Sequence, residues 1–197
     1  MGRTDEAIRE YKIVAEYSPR FTASRGGGLS AWAEGLVRAG CVKEVEALLH
    51  EYDQLLQKYK ADERENRSYI AGLVALAKGR PREAVTLFEK GVPLGPPLLR
   101  DWRRRWALAR ALIAAREKDR AVAELVVVVK RAPGGGDPIE TYKAMNTLAR
   151  LYEERGRRDE ALALYRRVAH QYREAEPGVK ANKEALAGVQ RLSKPLP

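Results

Sequence analysis

The 197 residues include one cysteine, two histidines, two methionines and two phenylalanines. Cys41 alone cannot close an internal disulfide, and without Cys/His clusters no structural zinc site can be assembled. No apolar run approaches the ~20 residues that span a bilayer. The opening Met1-Gly2-Arg3-Thr4-Asp5-Glu6 lacks the apolar core of a signal peptide, so a cytoplasmic protein is expected. His50-Glu51 begins like a zinc-protease motif, but Gln54 stands where a second histidine would have to project from the same helix face. No Gly-x-Ser-x-Gly elbow is present to expose a nucleophilic serine. Two glycine triplets, Gly26-Gly27-Gly28 and Gly134-Gly135-Gly136, run into Leu29-Ser30 and Asp137-Pro138. Neither has the Gly-Lys-Ser/Thr ending of a phosphate loop, and both are read as flexible connectors between helices. Cys41 follows Gly40 in a helix-to-helix turn and is expected to be a buried, inert thiol. These absences exclude the common catalytic constellations, so no enzyme, cofactor or metal is expected.

What is present is a charged, half-apolar chain: 45% apolar, 32% charged, with a net charge of +10. That composition suits one globular domain or a short repeat array. Most of the excess positive charge lies in residues 98–133, where ten Lys/Arg face four Asp/Glu; Arg100, Arg103, Arg104, Arg105, Arg110, Arg116 and Arg120 all fall there. Such a segment is either a solvated helix face or a surface for an anionic partner.

A repeat is visible by spacing. Ala7-x3-Tyr11-x7-Pro19 recurs as Ala84-x3-Phe88-x7-Pro96 and Ala121-x3-Leu125-x7-Pro133, while Ala161-x3-Tyr165 keeps the first spacing and Val45-x3-Leu49 is a weaker copy. Upstream lie Trp32-Ala33-x2-Leu36, Ala71-Gly72-x2-Ala75, Leu108-Ala109-x2-Leu112 and Leu148-Ala149-x2-Tyr152, followed four residues later by Gly40, Gly79, Arg116 and Gly156. Two amphipathic helices per repeat account for the pattern. Val42, Val45, Leu48, Leu49, Tyr52, Leu55, Leu56 and Tyr59 step by three or four around one face, with Glu44, Glu46, Asp53 and Lys58 opposite. Small anchors let two helix backbones approach, the glycines end each first helix in a left-handed conformation, and the prolines end each second helix.

Small-x2-aromatic, then Gly, then Asp-Glu-Ala-x3-Tyr and a terminal proline resembles the tetratricopeptide repeat; Leu148 to Ala169, LARLYEERGRRDEALALYRRVA, is the best-formed copy. The resemblance implies an all-α, right-handed superhelical array of antiparallel helix pairs, about four and a half repeats plus a capping helix, in one solenoid domain over 1–197. The divisions are a half repeat at 1–21, repeats at 26–64, 65–98, 102–135 and 139–175, and a cap at 178–194, where Ala181, Ala185, Leu186, Val189 and Leu192 form the closing face. The repeats are three to six residues longer than the usual 34 of the family. The break at Glu176-Pro177-Gly178 followed by one helix is similar to the tails of some large bacterial regulatory proteins. On that resemblance the chain is the C-terminal part of a longer polypeptide. The Ala- and Arg-rich usage suits a GC-rich bacterial source.

The resemblance also implies a non-enzymatic scaffold whose first helices line a concave groove. Its ligand-facing positions fall at Tyr69, Leu73, Leu76 and Ala77, then at Arg103, Trp106, Arg110 and Ile113, then at Lys143, Asn146, Arg150, Glu153 and Glu154. An apolar floor beside Arg103, Arg110, Lys143 and Arg150 implies a partner segment with acidic and apolar residues, because arginine grips carboxylates bidentately. The family's carboxylate-gripping Lys-x3-Asn pair is absent, which leaves capture of a chaperone C-terminus without support. Trp102 and Trp106 share a face with Ala109, Leu112 and Ile113: Trp102 is read as packing, while Trp106 is open to packing or ligand contact. Two alternatives stand. One is nucleic-acid or other polyanion binding through the Arg-rich fourth repeat. The other is self-association, as a homodimer, through the face of Ala7, Ile8 and Tyr11, which no preceding helix of the chain covers; an excised piece of a longer polypeptide explains that open face equally, and is preferred because array ends are normally polar.

Overall fold

The computed structural model describes residues 23–59, 64–91, 102–131, 138–171 and 180–194. Those residues are helical apart from short turns. They form α1 (Ala23–Arg38), α2 (Val42–Tyr59), α3 (Arg64–Ala77), α4 (Pro81–Gly91), α5 (Trp102–Ala114), α6 (Lys118–Arg131), α7 (Pro138–Glu154), α8 (Arg158–Gln171) and α9 (Lys180–Leu192). The chain divides at residue 94 into two compact units. In the N-terminal unit α3 packs on α4, α1 and α2; in the C-terminal unit α5 packs on α6, α6 on α7, α7 on α8, and α9 on both α7 and α8.

The helices pair because small residues sit at their crossings. Ala84, Ala121 and Ala161 on the second helices are wholly buried, and so are Ala109 and Ala149 on the first. At Gly72 even a methyl group has no room: a Cβ there would lie 2.6 Å from the Phe88 ring, which is itself wholly buried. The larger residue one turn after each anchor (Phe88, Leu125, Tyr165) fills the space beside the crossing. The exception is Leu49, which stays half-buried one turn after Val45.

Each first helix ends in the same way. The amides of Gly40, Gly79, Arg116 and Gly156 donate to Val37, Leu76, Ile113 and Glu153, and the next amides of Cys41, Arg80, Glu117 and Arg157 donate to Leu36, Ala75, Leu112 and Tyr152. This is the Schellman pairing, which requires a left-handed residue after the helix. The three glycines take φ of 82°, 71° and 71°, and Arg116 takes 66° in the same role.

Three expectations need correction. Gly26-Gly27-Gly28 is no connector but lies inside α1: glycine costs about 1 kcal/mol against alanine in a helix, which does not forbid the hydrogen-bond ladder from running through it. Leu186 does not join the closing face of α9. Ala185 and Leu192 are buried there, whereas Leu186 is 53% exposed, one residue round the helix from Ala185. Cys41 is half-buried in its turn, not buried, with Sγ 3.9 Å from the Ala39 carbonyl oxygen. Pro19, Pro96, Pro133, the second glycine triplet and the face of Ala7, Ile8 and Tyr11 lie outside the described residues.

Candidate functional site

The groove positions fall in both units. In the N-terminal unit Tyr69 and Leu73 are buried in the packing of α3, and Leu76 is half-buried near its end. The Tyr69 ring lies 5.7 Å from that of Phe88, and its hydroxyl donates to the Glu34 carboxylate on α1. A separate cleft of about 400 Å³ opens where α2, α3 and α4 meet, floored by Leu49, Ala71, Val74 and Leu87. Its charged rim is already internally matched. Arg67 grips Asp53 with two bonds of 2.6 and 2.8 Å, which pushes the guanidinium pKa up, and Arg80 pairs with Glu83 and Lys78 with Glu46. His50 in the same wall lies 3.0 Å from the Gln54 amide nitrogen.

In the C-terminal unit the first helices are α5 and α7. On α5, Arg103, Trp106 and Arg110 follow at i, i+3 and i+7, one stripe of a helix. On α7 the stripe is Glu140, Lys143, Thr147 and Arg150. A hydrogen bond joins the two: buried Trp106 donates Nε1 to Glu140 Oε2 at 2.9 Å. The tryptophan body thus belongs to the packing while its polar edge reaches the neighbouring helix. Trp102 is also buried, with Arg103 over its ring at 5.4 Å. Asn146 is 1% exposed. Arg103, Arg110, Lys143 and Arg150 are exposed.

Those four cations differ in what already holds them. Lys143 pairs with Glu140 at 2.7 Å, and Arg150 with Glu184 of α9 at 3.9 Å. Among the described residues, Arg103 and Arg110 have no carboxylate within ion-pair distance. Glu140 and Glu184 were not anticipated from sequence. Both lie 34 residues after the residue they bond (Trp106 and Arg150), about one repeat length, and that offset was the available signal.

The cap is held by the same kind of bond. Arg191 grips Glu153 with two bonds of 2.6 and 2.7 Å, which holds the Glu153 carboxyl below its ordinary 4.5. Burial pushes the adjacent Tyr165 hydroxyl up. Arg158 donates to the terminal carbonyl oxygens of Leu192 and Lys194, where a cation also matches the negative end of the helix dipole. Glu153 therefore serves the cap. Glu154 pairs with Lys118, and its neighbour Arg155 with Asp119, which ties the α5–α6 turn to the α7–α8 turn.

Among the described residues no group of three or more His, Cys, Asp or Glu side chains is placed to hold a metal ion, and no helix is long and apolar enough to cross a membrane. Among curated proteins no sequence matches this one. Solved structures do share the fold. One is the kinesin light chain nearly identical TPR-like repeats of Podosopora anserina, 21% identical, with a TM-score of 0.63 over 88% of this chain and 87% of that one. Another is a substituted form of the same repeats, 22% identical, with a TM-score of 0.62 over 86% and 85%. A tetratricopeptide repeat family model matches residues 142–176, which span most of α7 and all of α8. Residues 142–176 thus match a tetratricopeptide repeat, and the described helix pairs share the fold of TPR-like repeats.

Proposed function

We propose that the chain binds a segment of another protein, one with acidic and apolar residues, along the first helices of its C-terminal unit. Repeats of this family mediate protein–protein interaction and are scaffolds without chemistry of their own. The observation that carries the finer reading is the set of four exposed cations, Arg103, Arg110, Lys143 and Arg150, on two helices joined through Trp106 and Glu140. Half-buried Ile113 and exposed Ala114 continue the α5 stripe with apolar surface one turn beyond Arg110. Arginines beside such a surface favour a segment whose carboxylates accept paired N–H bonds while its apolar side chains cover the helix.

The test is capture of partners from an extract of the source cells by the full chain and by the double variant Arg103→Glu/Arg110→Glu. Loss of the captured protein, with unchanged circular dichroism of the variant, is the expected result. Unchanged capture would count against the α5 and α7 surface.

A further inference from the structure

The two arginines that the chain leaves without a carboxylate among the described residues define a spacing. Arg103 and Arg110 are seven residues apart on α5, nearly two turns, so they point the same way with their Cα atoms about 10.5 Å apart. Lys143 and Arg150 on the facing helix each have a carboxylate of the chain itself, Glu140 and Glu184. An incoming acidic group must compete for those two, and finds Arg103 and Arg110 open.

Resting on the reading of this surface as a protein-binding groove, we infer that it selects a segment in the extended polyproline II conformation with two acidic residues separated by two others, acid-x-x-acid, one on Arg103 and one on Arg110. A polyproline II chain has three residues per turn and advances about 3.1 Å per residue, so positions i and i+3 share a face about 9 Å apart and match the arginines. Spacings of two and four place the second acid about 6 and 12 Å along such a chain and on another face of it. A helical ligand would instead need acids seven apart.

The middle of the stripe decides between partner classes. Between the arginines sits Trp106, whose indole N–H is held by Glu140. The stripe on α5 therefore carries no cation between its two arginines. A nucleic-acid strand, charged at every nucleotide, would leave its middle phosphates unmatched there. A peptide with two neutral residues between its acids would not.

The test is fluorescence anisotropy at physiological salt with the full chain and labelled nine-residue peptides of constant composition, two glutamates and one leucine among alanine, glutamine and glycine. The glutamates are placed two, three, four or seven apart. Spacing three is expected to bind about tenfold more tightly than spacings two and four, and to lose about tenfold on Arg103→Gln or Arg110→Gln but under about threefold on Lys143→Gln. Equal binding at all spacings, or an optimum at seven, overturns the inference while leaving the groove reading in place. Failure of every peptide at millimolar concentration overturns both. Tighter binding of a twenty-nucleotide oligothymidylate than of any peptide, falling steeply with salt, replaces the peptide by a polyanion.

Discussion

Arg116 offers the cleanest perturbation of the fold, because the chain performs the control experiment on itself. Four first helices end in the same pair of hydrogen bonds, three with glycine in the left-handed position and one with arginine at φ 66°. For an L-residue that conformation costs about 1–2 kcal/mol, since Cβ approaches the following carbonyl oxygen. Glycine escapes the cost but gives up about 0.5–1 kcal/mol in unfolded-state freedom. Arg116→Gly should therefore stabilise the protein by about 0.5–1 kcal/mol. The reverse change, Gly79→Ala or Gly156→Ala, should destabilise by a similar amount. Added Cβ atoms at those two glycines would meet nothing within 4 Å, so the effect there is that of the backbone alone. Urea unfolding is the assay, followed by circular dichroism and by fluorescence. Trp102 and Trp106 place two of the three tryptophans of the chain on the helix that Arg116 terminates. With a slope of about 2 kcal/mol per molar, the midpoint should rise by about 0.3–0.5 M for Arg116→Gly, with the slope unchanged. Arg116→Ala removes the side chain beyond Cβ without relieving φ and should move the midpoint little. If Arg116→Gly lowers stability and Arg116→Ala lowers it equally, contacts of the guanidinium hold the turn and the backbone argument fails.

Other perturbations read other parts of the structure. Gly72→Ala forces a Cβ to within 2.6 Å of the buried Phe88 ring and should cost about 1–3 kcal/mol in urea unfolding, with Phe88→Leu in the same chain restoring part of it. Gly188→Ala places a Cβ 2.5 Å from the Tyr165 ring; hydrogen exchange should show lost protection in α9 while α5 and α6 keep theirs. Because Glu153 is held below its ordinary 4.5 by Arg191 in the folded state, its contribution is present above about pH 4.5 and is lost as pH falls through the depressed value. Exchange protection of α9 should accordingly fall on acidification in the native chain. The fall should be shallower in Glu153→Gln, and an identical pH profile in the two would refute the link.

The parts of the fold that were legible in sequence are those where a residue type answers a local steric demand. A left-handed helix terminus demands glycine, and Gly40, Gly79 and Gly156 announced three turns by themselves. Arg116 could be placed as the fourth by its spacing alone, since its chemistry argues the other way. The small anchors announced the crossings because no large residue fits where two backbones approach. The glycine triplet in α1 misled for the complementary reason. Glycine tolerates a helix at modest cost, so three together are weak evidence of a break when hydrogen-bonded turns extend across them. Leu186 misled because periodicity fixes a face only to within one residue, and Ala185 already occupied the buried position beside it.

The groove shows where periodicity stops being informative. Tyr69, Trp106 and Asn146 each precede the small residue of their helix (Gly72, Ala109, Ala149) by three. Position i−3 shares a face with i, so a residue there is drawn toward the crossing whatever its chemistry, and all three are buried. The neighbouring cations at Arg103, Arg110, Lys143 and Arg150 stay out because a guanidinium or ammonium keeps its water unless a partner replaces it. Which of them have such a partner depends on an acid one turn away on the same helix, as Glu140 is for Lys143, or one repeat away, as Glu184 is for Arg150, and the second kind of pairing is decided by how successive helices stack. Charge composition therefore marked α5 as basic, whereas the pairing separates Arg103 and Arg110, which have no carboxylate in ion-pair distance among the described residues, from two cations already engaged. Repeats that agree in every anchor residue can thus differ in which cations stay unmatched, because the acids that pair them lie off the anchors, on the same helix or on the next one along.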